Sequence, residues 1–375
     1  MMDDAGPSRH DLSALQARRR PADHGQVGWL RRITEHPTTR VALLILAGAQ
    51  AMVGAFILGL AVNIGTSSVG PGAKAGPFSL VAVPVAGIVG TPASITVTAD
   101  GSLWFTDASP SAIGRIDAAG AVTRSPTRLP WAPGVLAPRG DGGVWFTDPT
   151  GAGIGSVTPS GTIVSRGILA RGSPRGVVAG PDGNVWFTFA AEGGGWIGRM
   201  SPAGEVTRFL LPPSRHDPGQ IVAGADGNLW FAMADGLGRI TPAGEITQVE
   251  VGATAITPTL TAGPDKAIWF ARNTPTGGTN IGRVDIGRAP RVTAVYDLPA
   301  GASLRGIVAG SDGNLWVAEE AGEAIARVTT RGQVTQYSLP PGQYPEVLAA
   351  GKGRLYFTFN ASGGAGGVGR FDLPR

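Results

Sequence analysis

The chain has 375 residues, of which 42% are hydrophobic and 15% charged, and it contains no cysteine. The absence of cysteine excludes thiol catalysis, disulfides and cysteine-ligated zinc. Beyond residue 40, 24 basic residues nearly balance 22 acidic ones, so no basic face is expected and nucleic acid is not a predicted partner.

The N-terminal part of the chain divides into three predicted segments. Residues 1–40 contain seven arginines and no periodic apolar pattern, which predicts a mostly disordered tail. Residues 41–62 form an uncharged apolar run of 22 residues, which as a helix would span about 33 Å and match a bilayer core of about 30 Å. We therefore predict a transmembrane helix over 41–63. Residues 64–77 are rich in Gly, Ser and Pro, which predicts a stalk.

Charges on either side of the apolar run predict its orientation. Arg31, Arg32 and Arg40 precede the run, and the next basic residue after it is Lys74. The positive-inside bias then places the tail in the cytoplasm and the remainder outside, so the protein is predicted to be a single-pass protein of the cell membrane. A cleaved signal peptide is the alternative, although it would need a shorter basic region and a shorter apolar region.

From residue 78 to 375 one aromatic phrase recurs seven times. Its copies are Trp104-Phe105-Thr106, Trp145-Phe146-Thr147, Trp186-Phe187-Thr188, Trp230-Phe231-Ala232, Trp269-Phe270-Ala271, Trp316-Val317-Ala318 and Tyr356-Phe357-Thr358. The steps between the aromatic heads are 41, 41, 44, 39, 47 and 40 residues. A period near 40 is typical of a radial array with one four-stranded sheet per repeat. The predicted fold class is all-β, a seven-bladed β-propeller.

Each aromatic phrase has a recognisable sequence before it and after it. An Asp-Gly pair such as Asp182-Gly183 precedes it, which predicts a two-residue hairpin because glycine adopts positive φ without steric cost. A third strand such as Ile197-Gly198-Arg199 follows, with the arginine present in six of the seven repeats. A functional residue would not need copying into six blades, so these arginines are predicted to be structural.

The ends of the repeat array predict how the ring closes. The last repeat stops near Leu373 and supplies three strands, whereas residues 78–83 resemble an outer strand without a repeat of their own. We predict that 78–83 form the outermost strand of the last blade, because an unpaired edge there would leave backbone groups unsatisfied.

Two rings of residues are predicted at one mouth of the central channel, where the end of each second strand and the start of each first strand meet. The second strands contribute Asp107, Asp148, Phe189, Met233, Arg272, Glu319 and Phe359. The first strands contribute Ala93, Gly134, Arg175, Gly219, Pro258, Arg305 and Glu346. These positions differ between blades while the scaffold repeats, so they are the positions at which specific contacts could be encoded.

The repeated unit resembles the virginiamycin B lyase family. The matching pattern is Asp-Gly-x-Leu-Trp-Phe-Thr followed by Ile-Gly-Arg-Ile, and it extends over about 78–373. The resemblance implies a seven-bladed propeller and, for the family, ring opening of cyclic depsipeptide antibiotics by elimination with Mg²⁺. It is specific for the fold and less specific for the activity, because the scaffold motif does not include the catalytic positions.

The family's catalytic residues do not carry over to this chain. Arg305 stands where the family has a histidine in the sixth repeat, and Tyr344 and Glu346 replace a glutamate and a histidine in the seventh. Asn360 stands at a metal-binding glutamate. Because elimination needs a base and an acid or cation for the leaving group, we predict that the reaction is lost.

The predicted function is therefore binding of a small molecule, peptide or protein at the mouth. The candidate binding residues are Asp107, Asp148, Arg175, Arg272, Arg305, Tyr344 and Asn360. Weaker catalytic candidates are Glu346, Glu319 and His216, the only histidine in the repeats. A ring of self-paired charges without chemistry is one alternative. Another is a divergent lyase or hydrolase acting on a cyclic peptide, lactone or cell-wall-derived substrate, for which Mg²⁺ would be the cofactor; otherwise no cofactor is expected and no metal ligands are assigned.

Overall fold

The structure is a computed structural model, and its described residues all belong to one compact unit within 64–375. They are 74–75, 78–79, 92–108, 111–124, 129–167, 171–212, 217–234, 236–251, 259–273, 279–299, 303–362 and 366–373. The predicted tail 1–40 and helix 41–63 lie outside these residues. Within the described ranges, no helix has the length and apolar character needed to cross a bilayer.

The described residues form seven antiparallel sheets, which confirms the predicted seven-bladed all-β propeller. Blade one contains β3 (Pro92–Val97), β4 (Leu103–Ala108), β5 (Ser111–Ile116) and β6 (Val122–Arg124), and blade two contains β7 (Leu136–Pro138), β8 (Val144–Asp148), β9 (Gly153–Val157) and β10 (Ile163–Gly167). Blade three contains β11 (Ser173–Ala179), β12 (Val185–Ala190), β13 (Trp196–Met200) and β14 (Val206–Leu210), and blade four contains β15 (Ile221–Ala223), β16 (Leu229–Met233), β17 (Gly236–Ile240) and β18 (Ile246–Glu250). Blade five contains β19 (Thr259–Ala262), β20 (Ile268–Asn273), β21 (Thr279–Asp285) and β22 (Arg291–Asp297).

Blades six and seven also include residues from the start of the described chain. Blade six contains β23 (Leu304–Ala309), β24 (Leu315–Glu319), β25 (Ala324–Val328) and β26 (Val334–Ser338), with β1 (Lys74–Ala75) added outside β26. Blade seven contains β27 (Gln343–Gly351), β28 (Arg354–Ala361) and β29 (Gly367–Asp372), with β2 (Phe78–Ser79) outermost. The first strands of successive blades contact one another in a closed circle, which places them around the central channel.

Ring closure follows the predicted pairing where it is described. Phe78 pairs with Phe371 and Ser79 with Arg370, antiparallel, so β2 is the outer strand of blade seven. Residues 80–83 of the predicted strand lie outside the described residues. The pairing of β1 with β26, which is parallel and joins Lys74 to Tyr337, was not predicted, because two residues carry no readable strand pattern.

The aromatic phrase forms the contacts between blades. Trp104 of blade one packs with Leu136, Phe146 and Val157 of blade two, and Phe105 occupies the other face of its strand. In blades three to six the tryptophan Nε1–H also donates to the aspartate of the preceding turn, over 3.0, 3.2, 2.9 and 3.1 Å respectively. The turn aspartate therefore fixes the tryptophan in these four blades.

In blades one to six the turns differ from the predicted two-residue hairpins, whereas in blade seven Gly351 pairs with Arg354 and leaves Lys352-Gly353 as the predicted two-residue turn. Gly180 N–H donates to the Asn184 carbonyl, and Gly183 N–H donates to the Gly180 carbonyl. Gly183 has φ of 77°. This is a three-residue loop, a type I turn followed by a left-handed glycine. In blades three to six the aspartate of this loop is the residue that accepts from the tryptophan indole.

The repeated arginines are part of the scaffold. The guanidinium of Arg115 lies 5.6 Å from the centroid of Trp104, and that of Arg199 lies 5.7 Å from the centroid of Trp186. Arg199 Nη1 also donates to the Pro242 carbonyl of the next blade over 2.8 Å. These arginines stack on tryptophan and join neighbouring blades, as predicted from their repetition.

Candidate functional site

Irregularities at the start of the first strands position the second predicted ring. The pairing of β3, β11 and β23 with their neighbours shifts register at Ala93, Arg175 and Arg305 respectively. A β-bulge leaves its extra residue unpaired and redirects its side chain. All three residues are exposed. In β27 the shift leaves both Glu346 and Val347 unpaired, and Glu346 is half-buried.

A close approach of two backbones brings the bulges of blades six and seven together. A Cβ built at Gly306 would lie 3.2 Å from the Glu346 carbonyl oxygen and 3.4 Å from the Leu348 nitrogen. Only glycine allows this spacing without a shift of the neighbouring strand. As a result Arg305 and Glu346, from different blades, border the same part of the mouth.

Arg305 and Glu346 on these bulges belong to a cluster of charged and polar residues. We call it the Arg305 cluster; it consists of Arg305, Glu320, Tyr344, Glu346 and Asn360. Arg305 donates to Glu320 through Nε (2.7 Å to Oε2) and Nη2 (2.9 Å to Oε1). Asn360 Nδ2 donates to Glu346 Oε1 over 2.8 Å. Tyr344 is the direct strand partner of Asn360. Glu320 was missed by sequence reasoning, although it directly follows a predicted ring position.

The ionisation of the cluster reflects both burial and charge. Burial raises the pKa of Glu346, with the Glu320 carboxylate adding to the rise, while the Arg305 charge and the Asn360 hydrogen bond oppose it. The hydrogen bond to Glu320 raises the pKa of Arg305 against the effect of desolvation, with further support from the charges of Glu346 and Glu320. Arg305 therefore stays a cation that is paired with Glu320 and further stabilised by the charge of Glu346.

The first predicted ring points elsewhere. Asp107, Asp148 and Glu319 are 0%, 2% and 0% exposed, so their carboxylates do not reach solvent at the mouth. Each of these three residues lies two positions after the buried central residue of the aromatic phrase. Because side chains alternate along a strand, each shares the face of that central residue and points towards a neighbouring blade. Asp148 Oδ1 instead accepts the N–H groups of Thr150 and Gly151, 3.1 and 2.7 Å away.

Arg272 is also occupied within the scaffold. Its Nε donates to Asn280 Oδ1 over 2.6 Å, and its Nη1 donates to the Val251 carbonyl. Arg175 differs, because it is exposed and makes no hydrogen bond or ion pair with the described residues. His216 lies outside the described part of the chain. The structure thus brings together Arg305, Tyr344, Glu346 and Asn360, and it separates them from the buried first ring.

Glu319 is a buried carboxyl group with incomplete hydrogen bonding. Gln336 Nε2 donates to its Oε2 over 2.6 Å, and Oε1 has no partner among the described residues. Burial raises the pKa of Glu319, and the Gln336 hydrogen bond only partly opposes this. A carboxyl group whose folded-state pKa exceeds its unfolded value binds more protons in the folded state, so its ionisation destabilises the fold as pH rises.

Glu319→Gln is therefore expected to stabilise the protein at pH 8 by about 1–3 kcal/mol, because it removes a buried charge and keeps an acceptor for Gln336. The gain should disappear as pH falls through the raised folded pKa towards about 4, where the carboxyl is neutral in both states. Denaturant unfolding at both pH values measures it. Glu250→Gln, at an exposed strand position, is the matched control and should change little. A pH-independent effect of Glu319→Gln would contradict the assignment.

The geometry can now be compared with known proteins. The sequence model of the virginiamycin B lyase family matches residues 78–291 and 254–373, which together cover the propeller. The chain belongs to the virginiamycin B lyase family. A structure of streptogramin B lyase is 25% identical, covers 79% of this chain and 98% of its own, and superposes with a TM-score of 0.70.

A second family structure carries functional information about its own protein. It is a catalytically inactive histidine-to-alanine variant of virginiamycin B lyase from Staphylococcus aureus with quinupristin. It is 26% identical, with a TM-score of 0.70, and covers 79% of this chain and all of its own. No curated protein sequence matches this chain.

The magnesium ion that the family resemblance implies does not fit the Arg305 cluster. Both Glu320 oxygens accept from Arg305, and one Glu346 oxygen accepts from the Asn360 amide. Magnesium requires several oxygen ligands in octahedral geometry, whereas here a guanidinium already occupies both oxygens of Glu320. Among the described residues, no three His, Asp or Glu side chains are grouped to hold a metal.

Proposed function

We propose that this chain is a membrane-anchored, extracytoplasmic member of the family that binds a ligand or protein partner at the channel mouth and does not perform the family's elimination. The observation that carries this proposal is the Arg305 cluster. It places an exposed, paired guanidinium where the resemblance expects a histidine. The surrounding scaffold keeps the family's fold.

Loss of catalysis follows from the chemistry of the substituted groups. A general base must release and accept a proton near the working pH, and histidine does this readily. An arginine whose pKa is raised further by Glu320 stays protonated and cannot replace it. The relative from S. aureus is inactive when a histidine is changed to alanine, and this chain has only His216 beyond residue 36.

Binding is supported by the exposed cations at the same mouth. Arg305 and Arg175 both lie on bulges and are exposed, in blades six and three respectively. An arginine offers a planar fork of donors suited to carboxylate or paired carbonyl oxygens. A ligand that carries such acceptors can replace Glu320 as the hydrogen-bond partner of the Arg305 guanidinium. Tyr344 and Asn360 of the same cluster are then available for further contacts.

Membrane anchoring is the remaining part of the proposal. It is supported by the apolar run 41–62 and by the arginines before it, which favour a cytoplasmic N-terminus and an extracytoplasmic propeller. The membrane is thus one partner of the chain through 41–63, and the ligand at the mouth is the other.

Incubation with quinupristin and Mg²⁺, followed by mass spectrometry, tests the loss of catalysis. We expect no ring-opened product from the full-length protein. The variant Arg305→His, Tyr344→Glu, Glu346→His, Asn360→Glu restores the residue types that the resemblance expects, and we expect it to gain measurable turnover. Ring opening by the unmodified protein that is lost in Glu346→Gln would instead support the divergent lyase, which the raised pKa of half-buried Glu346 favours.

Site-specific photo-crosslinking in membranes tests binding at the mouth. With p-benzoylphenylalanine at Ala93 or Arg175, we expect a discrete adduct whose yield falls when Arg305→Ala is added. Ala203, an exposed residue in a turn at the opposite end of a blade, is the matched control position and should give no such adduct. An equal adduct yield from position 203, or an adduct yield that does not change with Arg305→Ala, would contradict binding at the mouth.

A further inference from the structure

The interface between blades seven and one lacks a feature that blades three to six share. In those four blades, a tryptophan indole donates to the turn aspartate. Blade seven has Tyr356 in place of the tryptophan and Lys352-Gly353 in place of Asp-Gly. Both the indole and the carboxylate that held it are therefore absent at this seam.

A cavity of about 340 Å³ occupies this seam. Leu103 and Ile116 of blade one and Tyr356 and Val368 of blade seven form its walls, and residues 117–120 of a blade-one turn form part of its rim. It opens at the turn end of the blades, opposite the mouth that carries the Arg305 cluster. Its volume lies within the range of about 300–1,000 Å³ found for small-molecule sites.

The charges around the cavity favour an anion. Lys352, Arg354 and Arg370 line it, and Asp117 is the acidic residue among its lining side chains. Asp117 accepts the N–H groups of Ala119 and Ala121 within its own turn, 2.9 and 2.8 Å away.

The neighbouring carboxylate does not neutralise the three cations. Asp372 is shared between Arg354 and Arg370, at 3.2 and 3.6 Å. Lys352 is exposed and makes no hydrogen bond or ion pair with the described residues. Among the described residues, Lys352 therefore contributes an unpaired positive charge to the rim, over an aliphatic and aromatic interior.

We propose that this cavity binds a small organic anion, a carboxylate carried on a compact apolar or aromatic body. The body packs between Tyr356 and the side chains of Leu103 and Ile116. The carboxylate accepts from Lys352 and from the arginines at the rim. This site is separate from the mouth, and it does not rest on the function proposed there.

Benzoate is the probe, and benzyl alcohol is its neutral counterpart of similar size. Saturation-transfer NMR and calorimetry with the full-length protein should show saturable benzoate binding and much weaker binding of benzyl alcohol. Lys352→Gln should weaken benzoate roughly tenfold, as expected for one charge-assisted hydrogen bond. Lys266→Gln, in the corresponding turn of blade five, is the matched control and should bind as the unmodified protein does.

Restoring the repeat gives a second test. Replacing residues 352–354 with the longer blade-six turn Ser-Asp-Gly-Asn, together with Tyr356→Trp, rebuilds the turn, aspartate and tryptophan of that blade. This variant should fill the cavity, raise the melting temperature and abolish benzoate binding. Unchanged benzoate binding in this variant, equal binding of both probes, or no saturable binding would overturn the proposal. If the rebuilt variant does not fold, the comparison of Lys352→Gln with Lys266→Gln decides the result.

Discussion

Gly238→Ala is expected to destabilise the propeller by about 3 kcal/mol, the upper part of the range for overpacking a core. A Cβ built at Gly238 overlaps the ring of Phe231, its direct strand partner, which is fully buried. The same glycine-under-phenylalanine arrangement occurs in six blades, at Gly114, Gly155, Gly198, Gly238, Gly282 and Gly369. Denaturant unfolding of the variant measures the loss directly.

Blade six shows how this loss should be reversed. Val317 replaces the phenylalanine there, and its strand partner is Ala326 instead of glycine. Phe231→Val alone should leave a cavity and cost about 2–4 kcal/mol, whereas Phe231→Val with Gly238→Ala should recover most of the stability. Gly140→Ala, where an added Cβ meets nothing within 4 Å, is the control and should change little. Strict additivity of the two substitutions would contradict this account of the packing.

Deletion of residues 64–84 is expected to lower the free energy of unfolding of the whole ring by about 3–5 kcal/mol. The deletion removes β2 and β1, so β29 keeps β28 but loses its outer partner, and an edge of backbone groups becomes unpaired. Phe371 is fully buried and packs 4.8 Å from Trp316 and 5.3 Å from Tyr337, ring centroid to centroid. Because Phe371 lies on β29 itself, loss of the strand beside it is expected to loosen this packing and to add to the destabilisation.

Deletion of residues 1–63 is the matched comparison, because it leaves both strands in place. We expect it to unfold at the same denaturant concentration as the full-length propeller and, on the proposed anchoring, to move from the membrane to the soluble fraction. Equal destabilisation by the two deletions would show that β1 and β2 do not stabilise the ring. Retention of the shorter protein in the membrane would contradict the proposed anchor.

The sequence by itself determined the number of blades, because each blade needs one buried aromatic phrase and the phrase recurs at a nearly constant spacing. It also predicted that the start of the repeat region completes the last blade, since a count of strands left that blade one short; residues 78–79 confirm this. The sequence also predicted that Arg305, Tyr344, Glu346 and Asn360 stand where the family has its catalytic residues, and this alignment stays a prediction.

Only the tertiary structure decided which of the variable positions reach the mouth. The repeat predicted that Asp148 and Glu319 lie at the mouth with Arg305. In the structure the two carboxyl groups are buried and form hydrogen bonds within their own blades, while a bulge leaves Arg305 exposed. The ion pair of Arg305 with Glu320 depends on the pairing of β23 with β24, and the cavity beside Tyr356 depends on how blades seven and one meet. Local sequence fixes the repeating unit, whereas burial and pairing between units depend on distances that no single repeat contains.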